Sequence, residues 1–227
     1  MGILYIIATP IGNLEDITLR AIRVLKEADL ILCEDTRVTK KLLAKYDIHT
    51  RTESYHAHTK ITKAEKFLSL LAEGKNIALV SDAGTPAISD PGVLLVKMAR
   101  ERFGDDAKII PIPGASALAA AISAAGIPAA QFLFLGFLPH KKGRETIFRR
   151  ILESSDTVIF YESPHRIMKT LRALSQTLSV ERRICVAREL TKIYESFISG
   201  TAGEVEKHFL THTDQIKGEC VVIIEGK

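Results

Sequence analysis

Residues 81–92, with the sequence SDAGTPAISDPG, combine the residue types that a small-molecule binding loop needs. Two carboxylates, Asp82 and Asp90, lie among hydroxyls, glycines and prolines that let backbone approach a ligand closely. An apolar run precedes the segment and an amphipathic run follows it, so a strand ends and a helix begins here. Ligands of open α/β sheets bind at that end of the strands. The same composition also fits an ordinary turn, with Ser89 or Asp90 capping the helix and Pro91 at its first position.

Carboxylates also follow other predicted strands. Glu34, Asp35, Glu162 and Glu189 each come at or just after the end of an apolar run and have an Arg nearby in the sequence. A carboxylate in that place can accept a proton during a reaction, or it can form a structural ion pair. The pattern alone leaves both interpretations open.

The histidines and cysteines form neither a metal-binding nor a disulfide pattern. Cys33, Cys185 and Cys220 are widely spaced and include no CxxC, which is typical of reduced thiols in a cytosolic protein. His56 and His58 alternate along a polar segment, as exposed loop histidines do, although a ligand or base role is an alternative. We therefore predict a cytoplasmic protein without a metal site.

Positive charge is concentrated in residues 139–150. Five cations against Glu145 give 5 − 1 = +4, which equals the net charge of the whole protein. Such a segment suits a phosphate backbone, although a solvated loop is the plainer interpretation. Further cations near predicted strand ends favour RNA: Arg37, Lys40, Lys41, Arg166, Arg188 and Lys192.

The order of the predicted elements indicates an α/β protein of two domains. Strands and helices alternate as far as residue 112, which predicts a parallel sheet covered by helices. The predicted elements include a helix from about Thr39 to Tyr46, followed by a less regular segment at residues 51–60. After Pro113 and Gly114, some strands follow one another without a helix, which predicts a mixed sheet. The strands predicted in this part include Thr157–Glu162 and Arg183–Arg188. We place the domains at residues 1–113 and 114–227.

Residues 117–138 contain no charge over 22 residues, which is long enough to span a bilayer. Gly126, Pro128 and Gln131 interrupt this segment, so it predicts a buried helix followed by a buried strand, and no membrane association. Neither a GxxxxGK[ST] loop nor a GxGxxG after the first strand is present, because TPIGN occupies that place.

Seven sequence blocks, taken together and in order, resemble the ribosomal RNA small subunit methyltransferase I family of the tetrapyrrole methylase superfamily. They are ATPIGNLEDITLRA, CEDTR, SDAGTPAISDPG, PIPGASA, FLGFLPHK, FYESPHR and ARELTKIYE. The resemblance implies a two-domain tetrapyrrole methylase-like fold with a cofactor cleft between the domains, in a homodimer. It also implies methylation of the ribose 2'-hydroxyl of a cytidine in the decoding region of 16S ribosomal RNA, in the 30S subunit, by S-adenosylmethionine.

Site residues follow from the family motifs together with the charge pattern. The expected cofactor site comprises Pro10, Ser81, Asp82, Ala83, Thr85, Ser89, Ser116, Ala117, Tyr161 and Glu162. The expected catalytic residues are Glu162, Arg188 and Glu189. The expected RNA contacts are Arg37, Lys40, Lys141, Lys142, Arg144 and Arg166.

Two other functions remain alternatives at this point. A methyltransferase of the same fold acting on a tetrapyrrole or a protein would work without RNA, and the +4 segment argues against it. A non-catalytic ribosome-binding factor would not need the SDAGTP and PGASA loops, which are both intact.

Overall fold

A computed structural model describes residues 1–56, 61–88 and 92–227. The chain divides into two compact units, Met1–Ser116 and Ala117–Lys227. His58, Ser89, Asp90 and Pro91, which carried expectations from the sequence, lie outside the described residues.

The first unit is built on a parallel five-stranded sheet, as the sequence predicts. The strand order is β3-β2-β4-β1-β5. The strands are β1 (Leu4–Ile7), β2 (Leu30–Cys33), β3 (Thr52–Ser54), β4 (Ile77–Val80) and β5 (Ile109–Ile112), and the helices are α1 (Leu19–Glu27), α2 (Thr36–Lys45), α3 (Ile61–Ala72) and α4 (Val93–Phe103). Pro111 is tolerated because β5 is an edge strand.

Two apolar clusters cover the two faces of this sheet, which explains why its central strands read as continuous apolar runs. One cluster includes Val24 and Leu25 of α1 with Ile7, and the other includes Phe67 of α3 with Leu79. Both sets are almost completely buried. The sheet therefore holds the loops at its strand ends on a packed base.

Two details of the first unit differ from the sequence prediction. Residues 51–60 were expected to be irregular, but Thr52–Ser54 pairs in parallel with β2 as an edge strand. The polar TES side chains gave no apolar signal for it. Helix α2 begins at Thr36 rather than Thr39, because the Asp35 carboxylate caps the helix by accepting the Arg37 N–H.

The second unit contains a mixed sheet, also as predicted. The strand order is β6-β7-β10-β8-β9, with β6 parallel to β7 and every other pair antiparallel. The strands are β6 (Phe132–Phe137), β7 (Thr157–Glu162), β8 (Arg183–Arg188), β9 (Ser196–Thr201) and β10 (Cys220–Ile224), and the helices are α5 (Ala117–Ala124), α6 (Arg144–Glu153), α7 (Pro164–Thr177) and α8 (Ala202–Thr211).

Strands β7 and β8 are both antiparallel to β10, so β6, β7 and β8 run in the same direction. Their carboxyl ends therefore meet at one edge of the sheet, which we call the carboxyl edge of the second sheet. The expected catalytic residues Glu162 and Arg188 are the last residues of β7 and β8, and Glu189 follows directly.

The uncharged segment, residues 117–138, forms a helix and then a strand, as predicted, but its predicted burial is largely wrong. In α5 only Ala121 is buried, and both Phe132 and Phe137 of β6 are exposed. Strand β6 is at the edge of its sheet, so it has a neighbour on one side only. Among the described residues, no helix combines the length and apolar character that a membrane span requires.

All three thiols are free and buried in strands. Burial raises the pKa of Cys33 and of Cys185, and it raises the pKa of Cys220 to about 12.

We expect Gly226→Ala to destabilise the protein, because the added Cβ would lie 2.0 Å from the carbonyl oxygen of Ser155. Overpacking of this kind costs about 1–3 kcal/mol. Gly203→Ala in α8 is the matched control: nothing lies within 4 Å of the added Cβ, and a helical Gly replaced by Ala gains up to about 1 kcal/mol. Urea unfolding measures both, and equal free energies of unfolding for the two variants would contradict the expectation.

Candidate functional site

Three loops meet at the carboxyl ends of β1, β4 and β5. These strands are parallel neighbours, so the loops that leave them, TPIGN, SDAGTP and PGAS, lie at the same edge of the first sheet. Thr9 and Gly84 form a two-way backbone bridge: the N–H of Thr9 donates to the Gly84 carbonyl at 2.9 Å, and the N–H of Gly84 donates to the Thr9 carbonyl at 3.0 Å. The first two loops are thus fixed to each other by main chain.

The hydroxyl groups of these loops hold the loops themselves. Thr9 Oγ1 donates to the Ser81 carbonyl at 3.0 Å, and Ser81 Oγ donates to the Gly84 carbonyl at 2.9 Å, both in buried positions. Thr85 Oγ1 lies 3.4 Å from the Ala115 carbonyl and joins the second loop to the third. A ligand at this edge would consequently meet mostly backbone and small side chains.

Small residues let the loops approach one another closely. Gly84 has a φ of +84°, which favours a glycine, whereas a Cβ there would lie at an ordinary contact distance of 3.4 Å from Ile11 Cγ2. A Cβ on Gly114 would lie 3.1 Å from the Cβ of Ala8. The three loops, TPIGN, SDAGTP and PGAS, together form what we call the backbone-lined cradle. It fits a ligand held by N–H and C=O groups, and a larger side chain would fill it.

Asp82 ties the same loop to the end of β2. Its Oδ1 accepts the N–H of Asp35 at 3.0 Å. Hydrogen bonds from Arg37 lower the pKa of Asp35 to about 2. The Arg37 side chain, an expected RNA contact, is exposed but bound to Asp35 at 2.6 Å, while Lys40 is exposed on α2.

Glu162 is the centre of a buried charge cluster in the second unit. Its side chain is 0% exposed and lies 2.7 Å from Arg166 and 3.8 Å from Arg144. It also accepts the Thr170 hydroxyl at 2.6 Å and the Ser163 N–H at 3.0 Å. The role expected for Glu162 in catalysis stays a prediction, and its geometry is that of a structural brace.

Both arginines of the Glu162 cluster also bind the backbone that follows β6. Arg166 donates to the Leu138 carbonyl at 2.6 Å, and Arg144 donates to the Pro139 carbonyl at 3.4 Å. Burial lowers the pKa of Arg144, although Glu162 opposes this. Only 14% of the Arg144 side chain and 15% of the Arg166 side chain are exposed. Their expected contact with RNA stays a prediction.

The exposed cations of residues 139–150 lie on two surfaces. Lys141 and Lys142 are exposed in the turn after β6, at the carboxyl edge of the second sheet. Arg149 and Arg150 are near the other end of α6, where they line an open cleft of about 450 Å³ together with Glu153 and other residues. The exposed positive charge of the turn is therefore carried by its two lysines.

Arg188 is buried and ties three segments together. It donates to the Tyr194 carbonyl at 2.9 Å, the Lys217 carbonyl at 3.1 Å and Ser196 Oγ at 3.3 Å. These bonds hold residues 189–195, which we call the β8–β9 loop, and the chain before β10. Arg188 is positioned as a support for the loop.

Glu189 and Lys192 form an ion pair at the base of the β8–β9 loop. Lys192 Nζ lies 2.9 Å from Glu189 and 3.1 Å from Glu219. Burial raises the pKa of Glu189, but the hydrogen bonds from Lys192 and from the backbone of Glu219 outweigh it and lower the pKa overall. Glu189 is thus held ionised.

The remaining expected site residues are distributed between the two units. Pro10 is buried beside Thr9, Ala83 is exposed in its loop, and Ser116 ends the first unit. Ala117 begins α5 in the second unit. Tyr161 packs edge-on against Phe134 and Phe137, with ring centroids 5.0 Å and 5.3 Å away.

Sequence reasoning missed the structural roles of Thr9, Gly84 and Thr170. Gly84 had a usable signal, since a glycine in a loop after a strand often adopts a positive φ. No local pattern marks Thr170, because its partner Glu162 is eight residues away and belongs to a different element.

The chain is similar to known proteins over most of its length. The family described as Tetrapyrrole (Corrin/Porphyrin) Methylases matches residues 3–206. The protein named Ribosomal RNA small subunit methyltransferase I of Halalkalibacterium halodurans is 50% identical over 226 residues, which is 99% of this chain and 76% of the relative. The protein of the same name of Bacillus subtilis is 48% identical over 227 residues, covering 100% of this chain and 76% of the relative.

Solved structures are similar in fold at lower identity. The uroporphyrin-III-C-methyltransferase from Thermus thermophilus has a TM-score of 0.65 and 18% identity, with 99% of this chain and 94% of that chain covered. A cobalt precorrin-4 methyltransferase has a TM-score of 0.67 and 20% identity, with 98% and 94% covered. At this identity the likeness concerns the fold.

We expect Glu162→Gln to destabilise the protein by about 3–5 kcal/mol, because it leaves two mostly buried arginines without their counter-charge. Glu206→Gln is the matched control. Glu206 is also mostly buried but pairs with the exposed Arg172, so the expected loss is below about 1 kcal/mol. Urea unfolding compares the two, and equal losses would show that the Glu162 cluster is not a brace.

We also expect the stability to depend on Glu189 in acid. The pKa of Glu189 in the folded state lies below the ordinary 4.5, so its stabilisation is present above pH 4.5 and is lost as the pH falls through the folded value. Lowering the pH from about 5 to about 3 should therefore decrease the free energy of unfolding of the wild type more than that of Glu189→Gln. Glu219→Gln, at an exposed partner of the same lysine, should behave like the wild type; parallel curves for wild type and Glu189→Gln would refute the assignment.

Proposed function

Since the chain belongs to the tetrapyrrole methylases, and among them to the family of ribosomal RNA small subunit methyltransferase I, we propose that it methylates small-subunit ribosomal RNA with S-adenosylmethionine. The acceptor in this proposal is the ribose 2'-hydroxyl of a cytidine in the decoding region of 16S RNA. The observation that carries the proposal is the identity of 50% over nearly the whole chain to a relative of that name.

The backbone-lined cradle of the first unit is the part of the proposed cofactor site whose geometry supports it most directly. S-adenosylmethionine supplies an electrophilic methyl group on a sulfonium when it is bound. We propose that Pro10 and residues 81–85 hold it with backbone groups, which the bridge between Thr9 and Gly84 keeps in place. The other residues proposed for this site are Ser89, Ser116, Ala117, Tyr161 and Glu162.

With S-adenosylmethionine held by these residues, the ribose oxygen would bond to the methyl carbon as the carbon–sulfur bond breaks, and the hydroxyl proton would pass to a base. Positioning of the two reactants supplies much of the acceleration. We propose that Glu162 and Arg188 contribute by bracing the carboxyl edge of the second sheet, and that the ionised Glu189 accepts the proton.

The acceptor is proposed to be the assembled 30S subunit, bound through exposed cations. Lys141 and Lys142 present positive charge at the carboxyl edge of the second sheet, and Lys40 does so on α2. Charges of this kind bind phosphates irrespective of sequence. Action on ribosomes implies a cytoplasmic protein, and the resemblance implies a homodimer; both are part of the proposal.

A tetrapyrrole acceptor is the alternative within the same fold. Solved structures with tetrapyrrole-methyltransferase names are 18% and 20% identical to this chain, which concerns the fold rather than the substrate. Exposed lysines also suit the carboxylates of a tetrapyrrole, so the preference for RNA rests on the 50% and 48% identity to relatives named as ribosomal RNA methyltransferases.

The first test is transfer of labelled methyl from S-adenosylmethionine to small ribosomal subunits that lack the modification, beside naked ribosomal RNA and a sample without RNA. We expect label on ribose in the subunit sample. Glu189→Gln should lower kcat by about 10²-fold or more if Glu189 accepts the proton. No label in any sample, with a working positive control, would refute the proposed function.

The cradle is tested in the same assay by Gly84→Ala. A Cβ at a φ of +84° strains the backbone of the loop, so cofactor affinity should fall by about tenfold. Gly104→Ala is the matched control, since Gly104 also has a positive φ, +56°, but nothing lies within 4 Å of its Cβ and it ends α4. Equal cofactor affinities for the two variants would show that the cradle is not part of the cofactor site.

A further inference from the structure

The β8–β9 loop presents two large apolar side chains to solvent. Ile193 is 94% exposed and Tyr194 is 71% exposed, while the neighbouring Leu190 is buried and anchors the loop. A single exposed apolar residue is common and needs no explanation. Two in succession at the tip of one loop are more informative when the loop is also held rigidly.

The loop is braced from several sides. The buried Arg188 binds the carbonyl of Tyr194 itself, and Lys192 joins Glu189 to Glu219 across the start of β10. The backbone adds three bonds: from Glu189 to Glu219 at 3.0 Å, from Lys192 to Glu189 at 3.0 Å, and from Glu195 to Lys192 at 3.1 Å. The tip therefore has a defined direction before any partner arrives.

The backbone of the loop is also strained. Glu189 has a φ of +51° and Thr191 a φ of +66°, in the left-handed region that residues other than glycine seldom adopt and that the β-branched Thr191 adopts least readily. A Cβ on Gly218 would lie 2.3 Å from the Glu189 carboxyl carbon, so the Glu189 side chain occupies space that only a glycine leaves open. Strain of this kind persists where surrounding contacts enforce it, and it concentrates at functional sites.

The position of the loop indicates its partner. It leaves β8 at the carboxyl edge of the second sheet, the same edge at which Lys141 and Lys142 follow β6. Strands β6 and β8 are three strand spacings apart in the sheet, or about 14 Å. One edge thus carries exposed cations at one end and an exposed aromatic ring at the other.

We infer that Tyr194, backed by Ile193, is a stacking platform for an unpaired base of the substrate RNA, whose phosphates Lys141 and Lys142 bind. Sequence-specific recognition of RNA uses splayed bases stacked on aromatic side chains, and a rigid ring loses little freedom on binding. This inference rests on the proposed function and adds the element that holds the acceptor strand.

The charges of the loop are compatible with RNA. Glu189 and Glu219 both bind Lys192, and the Glu195 carboxylate accepts the N–H of Thr191. Each of these carboxylates has a donor, which limits its repulsion of a phosphate backbone. Contact of the tip with a protein is the competing interpretation, and it is an outcome of the test below.

The experiment measures binding of the full chain to small ribosomal subunits that lack the modification. Tyr194→Ala should weaken binding by about 5- to 150-fold, as loss of one stacked base does, and Tyr194→Trp should bind like the wild type. Val180→Ala is the control: Val180 is 85% exposed in the same unit but precedes β8, at the opposite edge of the sheet, and its loss should change nothing.

Salt dependence separates stacking from charge. Tyr194→Ala should leave the slope of log affinity against log salt unchanged, whereas Lys142→Ala should reduce it by about 0.7–0.9 for one lost phosphate contact. Cofactor affinity should be unchanged in both variants.

Three results would overturn the inference. If Tyr194→Ala binds and methylates subunits as well as Val180→Ala does, Tyr194 is not a stacking platform, although the proposed function stands. If Tyr194→Ala loses binding and its mass in light scattering is half that of the wild type, the tip of the loop is a contact between copies of the chain. Wild type that neither binds nor methylates subunits would remove the proposed function and this inference together.

Discussion

The direction of the parallel strands is the constraint on which both units depend. Strands that run the same way deliver their loops to one edge, and a right-handed helical crossover must return the chain each time. In the first unit this brings TPIGN, SDAGTP and PGAS together, although 70 or more residues separate Thr9 from Gly84. In the second unit the same geometry aligns the ends of β6, β7 and β8, even though two antiparallel strands complete the sheet.

Buried charge makes these edges rigid, and exposed charge remains available for a partner. Glu162 and Arg188 have many partners and little exposed surface, and the carbonyl groups they or their partners bind belong to the loops of the same edge. A buried charge must be neutralised or hydrogen-bonded, so each of these side chains fixes the backbone around it. Lys141 and Lys142 are exposed and can adapt to phosphates. Cations that are close in sequence therefore have different roles: Lys141 and Lys142 are available to a partner, whereas Arg144 pairs with Glu162 inside the protein.

The sequence predicts those parts of the structure that depend on local patterns. Strands β7 and β8 were predicted with the bounds observed, because their apolar runs are buried on both faces of a sheet and end at charged residues. Strand β3 was missed because its three polar residues owe their conformation to pairing with β2 rather than to their own composition. The ordered motifs indicated the family, which the relatives confirm. They could not show that Arg144 packs against Glu162, since the two lie on different elements and only the folded backbone brings them together.

Chemical modification of the three buried cysteines reports where the folded structure opens. Each thiol is enclosed in a strand, and burial holds the pKa of each above its ordinary value, so little thiolate forms near neutral pH. Attack by an oxidant or an alkylating reagent therefore has to wait until a strand separates from its neighbours. Cys33 lies beside β3 at the edge of the first sheet, whereas Cys220 begins the central strand of the second. Their modification rates would consequently follow the loosening of two different sheets within one chain.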